Sequence, residues 1–387
     1  MSIVHPQTEP LRIVRGRTAI LALQPMLSRL AALTGQPGDA ADMEYFLSSP
    51  KALKKTPYLL LTKAYANEPS VEGYSEAVLL FEYRVSIGAT RVFATSDPSG
   101  RRNLFAAPAE RATLAARAVR TLLQSGAHIV HIAYHKGDLE LPSESLSETE
   151  QVAVAFGDPS PDAALRRSQR MAGKRDWSLV EQIIPSYLPI EPTFDETIAR
   201  LGHLTRRNLR YYRRRTEKEI GCVFVPEVQI GLDDFLAFSR ACTYAVPDEI
   251  AAWRYRALSL IETPFLCGVH DSSGRWLSMI GGRRSRTVTE IDWQMNLDGL
   301  EKYSLTTVAR ACMIEHEASL GSTRLYLEGG TPHSITNQFV RETVVELTAK
   351  RRSLYTHLLT RFAPRVFPPD NYVGQILRDA SYSWHLW

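Results

Sequence analysis

The sequence predicts an α/β (α+β) chain of two lobes, each a mixed, mostly antiparallel sheet flanked by helices. Two observations point there. At 387 residues the chain exceeds the usual size of a single domain. One order of elements (three strands, a helix, a glycine, a strand) is legible twice along it. An apolar content of 44% with 23% charged residues marks a core-forming chain.

In the first copy, Tyr58 to Leu61, Ala77 to Tyr83 and Thr90 to Ala94 are aromatic and aliphatic runs cut by Gly73, Gly88 and Asp97-Pro98. They read as strands. A helix follows from about Pro108 to Gln124, with Leu114, Ala118, Thr121 and Leu122 as its apolar stripe. Gly126 stops it, and His128 to Ile132 is the next strand. In the second copy, Phe265 to Val269 is a strand and Asp271 to Gly274 a hairpin turn. Trp276 to Gly282 and Val288 to Met295 continue the sheet. A helix from Ser304 to Leu320 ends at Gly321, and Thr323 to Leu327 closes the set.

Between the copies, Leu141 to Gln151 is polar and acidic, and Ser178 to Ile190 reads as extended. Thr193 with Glu196 forms a capping box for the next helix. Two further helices are expected near Asp233 to Tyr244 and Pro247 to Leu258, and the tail from Thr336 reads as a long amphipathic helix and a shorter one. The domains expected are an N-terminal lobe over 1–135, a linker and extended segment over 136–192, and a C-terminal lobe over 193–387.

The net charge is only +4, from 46 basic and 42 acidic side chains, which argues against a protein that coats nucleic acid along its whole surface. The basic residues are nonetheless concentrated. Arg206, Arg207, Arg210, Arg213, Arg214, Arg215 and Lys218 crowd one predicted helix, whose buried stripe is Leu201, Thr205, Leu209, Tyr212 and Thr216. A solvated face tied to acidic neighbours is one account of this helix; a phosphate-bearing partner is the other. Four cysteines without a pairing rhythm fit a reducing compartment. With no apolar run long enough to span a bilayer or serve as a signal peptide, a cytoplasmic location is expected. His128, His131 and His135 lie on a predicted strand, where His128 and His131 face opposite ways, so no metal is expected. No Walker loop, nucleophile elbow or dinucleotide fingerprint is present.

Phe194 to Leu201 and Thr205 to Arg214 resemble the entry helix of the CelD-type (FemAB-related) tandem GNAT acyltransferases. Lys302-Tyr303-Ser304, the helix to Leu320, Gly321 and Leu325 to Gly330 resemble that family's second sheet. The resemblance covers about Tyr58 to Phe339. It departs at Leu305-Thr306, where members often carry Pro-Gly, and at Asn337-Gln338, where a lysine is often placed. The simple pyrophosphate signature of GNAT enzymes is absent.

The resemblance implies a degenerate N-terminal lobe and a catalytic C-terminal one. It further implies acyl-CoA (acetyl-CoA) as co-substrate, and a small-molecule amine such as an amino sugar or amino acid as acceptor. An aminoacyl-tRNA donor gripped by the arginine helix, and a scaffold that has lost catalysis, are the alternatives. Acyl transfer to an amine needs a base, a carbonyl-polarising N–H and an acid for the leaving thiolate. On the strands flanking a GNAT cleft, Glu328 is the expected base, Tyr326 the acid and Asp292 the reserve. The splayed end of Val288 to Asn296 supplies the N–H. Ser304, Thr306 and Thr307 at a helix start, with Arg206, Arg210 and Arg213, are the expected donor-binding residues. His333 is a further proton-transfer candidate.

Overall fold

The computed structural model describes residues 11–36, 42–65, 68–85, 90–95, 102–136, 177–327, 334–351, 353–356 and 358–359, with 362, 374 and 376. The chain divides into two compact units. One comprises Met1–Met43, Lys51–Ile183 and Glu342–Trp387, the other Glu44–Pro50 and Ile184–Arg341. Each is a mixed, mostly antiparallel sheet with helices against it.

In chain order the elements begin with β1 (Arg12–Arg15), α1 (Arg17–Leu21), α2 (Gln24–Leu33), α3 (Met43–Ser48) and α4 (Pro50–Leu53). They continue with β2 (Thr56–Lys63), β3 (Tyr74–Val85), β4 (Thr90–Ala94), β5 (Leu104–Phe105), α5 (Arg111–Gln124) and β6 (Ile129–His135). In the first unit the strands lie in the order β1-β2-β3-β4-β6, and only β4 and β6 run parallel. The parallel step is the one that needs a crossover, and α5 supplies it. Its residues Leu114, Ala118 and Leu122 pack on Leu60, Leu80, Phe93 and Val130.

The second unit follows β7 (Trp177–Pro189) with α6 (Phe194–Ala199), α7 (His203–Ile220), β8 (Val223–Val225), α8 (Leu232–Arg240) and α9 (Asp248–Ala257). Then come β9 (Pro264–His270), β10 (Trp276–Ser285), β11 (Val288–Asn296), α10 (Leu305–Ser319) and β12 (Arg324–Leu327); β13 (Val340–Lys350) follows, and from Glu342 on it belongs to the first unit. Its sheet order is β7-β12-β11-β10-β9-β8, with β11 and β12 the parallel pair. Both faces are covered. Met279, Trp293 and Met295 meet Phe235 and Phe238 of α8 on one side, while Ile280 and Ile291 meet Ala309 and Met313 of α10 on the other.

The order three strands, helix, strand therefore occurs in both units, and the helix ends match in detail. Gly126 and Gly321 adopt φ of 92° and 75°, conformations that a side chain disfavours. In the first unit Gly126 N donates to Leu123 O and Ala127 N to Leu122 O, at 3.2 and 2.9 Å. In the second, Gly321 N donates to Ala318 O and Ser322 N to Glu317 O, at 3.1 and 3.0 Å. Both are Schellman caps, with the glycine at the left-handed position.

One expectation is overturned. The segment beginning at Val340, expected to be helical, is the strand β13, antiparallel to β6 from Val344↔His135 to Lys350↔Ile129. Val340, Thr343, Val344, Val345 and Thr348 are β-branched, and Val345 and Leu347 complete the apolar core over α5. The strand antiparallel to β12 is β7, which comes before the second unit's own repeat. Each closing strand thus takes its antiparallel partner from a distant stretch of chain.

His131 of β6 is buried, with Nδ1 2.9 Å from Thr348 Oγ1. Burial lowers its pKa from 6.5 to about 4. The unfolded chain takes up a proton below pH 6.5 that the folded chain refuses, so stability falls as pH drops from 6.5 towards 4. Over that window His131 accounts for a loss of about 3 kcal/mol. Urea unfolding of the wild type and His131→Asn at pH 7 and pH 4.5 is expected to show the smaller pH loss in the variant.

Candidate functional site

In the second unit β11 pairs with β12 from Val288↔Arg324 to Ile291↔Leu327, then runs on to Asn296. Among the described residues no strand pairs with 292–295 on the β12 side, and at the end of β11 the Asn296 carbonyl accepts from Thr243 N at 3.0 Å. On its other side the β10 register slips between Gly281↔Trp293 and Gly282↔Ile291, so Asp292 is the extra residue of a β-bulge. The bulge turns β11 where its pairing with β12 ends. The two glycines permit it. A Cβ on Gly282 would stand 2.0 Å from the Glu290 carbonyl oxygen, and one on Gly281 would stand 2.2 Å from the Trp293 ring. In the first unit the β3/β4 register runs unbroken from Phe81↔Ala94 to Val85↔Thr90.

Asp292 is held from two sides. Arg283 Nη2 donates to its Oδ2 at 2.9 Å, and Tyr45 Oη donates to the same oxygen at 2.8 Å. The Arg283 side chain is 2% exposed and also faces Glu290, with Nε 4.0 Å from Oε2. Its guanidinium lies 4.3 Å from the centroid of the Tyr45 ring. Arg283 leaves the Asp292 carboxylate ion-paired and hydrogen-bonded, a poor base for an incoming amine. Tyr326, directly opposite Glu290 in the parallel ladder, is buried with its ring 5.2 Å from that of Tyr187. Glu328 and His333 lie outside the described residues.

The start of α10 is fastened to the free end of β11. Asn296 Nδ2 donates to Thr306 Oγ1 at 2.8 Å, and Ser278 Oγ donates to Asn296 Oδ1 at 2.8 Å. Ser304 precedes the helix with a φ of 48°, and its hydroxyl is 2.8 Å from that of Thr307. A non-glycine residue in that conformation carries strain, which the surrounding contacts must offset. Leu305 is buried in the core beneath α10. The other end of α10 is pinned by the buried Glu317, which accepts from Arg284 Nη2 at 2.8 Å and Ser322 Oγ at 2.6 Å.

Along α7, Arg206, Arg207, Arg210 and Arg214 line an open groove of about 870 Å3 with Tyr211 and Lys218. Arg210 pairs with Asp195 at 2.7 Å, and Arg206 donates to the Ala199 carbonyl at 3.3 Å. Arg207 and Arg214 have no acidic partner among the described residues. Arg213 is turned off the groove, paired with Glu217 at 3.0 Å and Glu315 at 2.7 Å. The helix therefore divides its arginines between ion pairs within the fold and an open groove that Glu219 also lines. Burial pushes the thiols of Cys242, Cys267 and Cys312 up to about 12, so none of them is a nucleophile near neutral pH. Among the described residues, no group of acidic, histidine or cysteine side chains forms a metal site. No described helix is long and apolar enough to cross a membrane.

Sequence reasoning missed Tyr45 and Arg283, the two groups that hold Asp292. Nothing local marks Tyr45, which arrives from 247 residues away. The Gly281-Gly282 pair inside a strand was a usable signal for a bulge.

No protein-family model matches the sequence, and no curated protein matches it. Solved structures do. FemX superposes with a TM-score of 0.52 at 10% identity, over 82% of this chain and 95% of that one. A tandem GNAT protein from the clavulanic acid biosynthesis pathway matches at 13% identity over 88% and 98% of the two chains, with a TM-score of 0.43. L-PGS from Bacillus licheniformis matches at 12% identity over 84% and 93%, with a TM-score of 0.46. The chain has a FemX-like fold.

Gly282→Ala drives a methyl group into the Glu290 carbonyl and is expected to cost about 3 kcal/mol or more, the upper range for overpacking. Gly126→Ala meets only the tip of Arg91 at 3.7 Å and is expected to cost about 1 kcal/mol for its positive φ. Denaturant unfolding of the two variants measures the contrast.

Proposed function

We propose that this protein is an acyltransferase that moves an acyl group from acyl-CoA to the amine of a small molecule, at the opening beside β11 in the second unit. The observation that carries this reading is the bulge at Asp292, where β11 turns and runs on past its last pairing with β12. In this reading, backbone N–H groups of β11 beyond its pairing with β12 donate to the thioester carbonyl. The amine nitrogen attacks the carbonyl carbon, the carbon–sulfur bond breaks, and the thiolate takes a proton.

Arg283 and Tyr45 fix Asp292, so its role is to position the strand rather than to take the ammonium proton. Glu328, which follows β12 in sequence, is the proposed base, and Tyr326 the proposed acid. Donor phosphates are assigned to the first turn of α10, with Ser304, Thr306 and Thr307, and to the arginine face of α7. Arg206 and Arg210 share that face with Arg207 and Arg214, whereas Arg213 is committed to Glu217 and Glu315.

The open arginine groove also favours a second reading, an aminoacyl-tRNA donor whose RNA backbone lies along α7. Native mass spectrometry of the purified protein separates the two. Added mass equal to CoA supports the first reading. Co-purifying RNA that leaves in high salt supports the second, and neither adduct is the result expected of a scaffold without catalysis.

Charge reversal at Arg207 and Arg214 is expected to weaken donor affinity at least tenfold with little change in Tm, because neither arginine pairs with an acid. Reversal at Arg213 is expected to lower Tm, because it sets three carboxylates together. Titration calorimetry beside thermal melts tests both. Glu328→Gln is expected to lower turnover by about 10²-fold with donor affinity unchanged, the usual scale for a lost general base. A pH–rate profile that keeps its acidic limb in the variant would move the role to water.

A further inference from the structure

α10 carries a charge, on Arg310, that no anion among the described residues answers. Arg310 is 8% exposed. Its Nε donates to Gln294 Oε1 at 3.2 Å, while its Nη1 is buried with no hydrogen-bond partner. Burial alone lowers its pKa, to about 10, so it stays protonated at neutral pH. Two other arginines of the same unit make the contrast: Arg283 faces Asp292, and Arg284 faces Glu317.

The neighbours of Arg310 are neutral. Gln294 Nε2 donates to Asn296 Oδ1 at 3.2 Å and reaches the Thr306 carbonyl at 3.5 Å. These contacts place the guanidinium beside the first turn of α10, where the helix dipole adds positive potential rather than offsetting the cation. A buried cation next to a helix start, with an open N–H, is an incomplete electrostatic arrangement.

We infer that Arg310, with Gln294 and Asn296, is a subsite for a carboxylate on one of the two reacting molecules. The inference rests on the acyl-transfer reading and names a substrate class within it. A guanidinium fork matches the two oxygens of a carboxylate, and one formal positive charge among neutral amides balances one negative charge. Phosphates have a separate bank of cations along α7. Gln294 and Asn296 follow the Asp292 bulge on the free stretch of β11, so a carboxylate held there lies close to the proposed acyl site. It belongs either to the acceptor, as in an amino acid, or to the acyl chain, as in a dicarboxylic acyl-CoA.

Thermal melts of the full chain test this with two pairs of probes: a panel of L-amino acids against their methyl esters, and succinyl-CoA against acetyl-CoA. A higher Tm with an amino acid but not its ester identifies the acceptor as the source. A larger shift with succinyl-CoA than with acetyl-CoA identifies the acyl chain. Arg310→Met is expected to abolish the carboxylate-dependent shift, to leave acetyl-CoA binding intact, and to raise the Tm of the ligand-free protein by removing an unanswered buried charge. Arg310→Lys is expected to retain part of the shift. Acid and ester acting alike, together with equal shifts from the two thioesters, overturns the subsite. A lower ligand-free Tm in Arg310→Met, with the carboxylate shift preserved, overturns it as well and makes Arg310 structural. Failure of acetyl-CoA to bind the wild type removes the transfer reading alone, since the acid-against-ester comparison still reads out at Arg310.

Discussion

Arg283 sits between two carboxylates, Glu290 and Asp292, on a strand that also carries the glycines of the bulge. Its positive charge allows both acids to be buried, and Tyr45 completes the coordination of Asp292 while stacking on the guanidinium. Removing the arginine would leave two buried carboxylates facing each other, an arrangement that proteins relieve only by protonation or local unfolding. The ion pair sits at the bulge, just where the pairing of β11 with β12 ends.

α10 is fastened to the sheet at both ends. Its last turns are locked by Glu317 to Arg284 and Ser322, and its first turn is tied to β11 through Asn296 and Thr306. Between those anchors lies Arg310, whose buried Nη1 has no hydrogen-bond partner among the described residues. The first unit repeats the helix, its Schellman cap and the parallel strand pair. Its β3/β4 ladder has no register shift, whereas the β10/β11 ladder of the second unit has one at Asp292.

Much of this architecture is legible in the sequence because it is written locally. Gly126 and Gly321 mark helix ends, the Thr193–Glu196 box marks a helix start, and Asp271 to Gly274 marks a hairpin. The stripe of α7 is legible as well, with Leu209 and Thr216 buried as the periodicity requires. Strand partnership is not local. Nothing in Val340–Lys350 says that it pairs with β6, and its charges at Glu342, Glu346 and Lys350, four residues apart, imitate an amphipathic helix until that partner is known. The site follows the same division. Asp292 and the first turn of α10 could be singled out from their places on a strand and a helix start. Tyr45 could not, because its role is made by a contact across 247 residues of chain. Arg310 was readable as a charge within an apolar helical run, but whether that charge is answered is a property of the fold alone.

The central claim is that the free stretch of β11 polarises an acyl carbonyl. Isotope-edited infrared spectroscopy of acetyl-CoA labelled at the thioester carbonyl reads this directly. The account predicts that the carbonyl stretch of the bound thioester moves to lower frequency than in solution, as hydrogen bonding from backbone N–H groups weakens the double bond. A bound thioester whose carbonyl absorbs at its solution frequency or higher would contradict it.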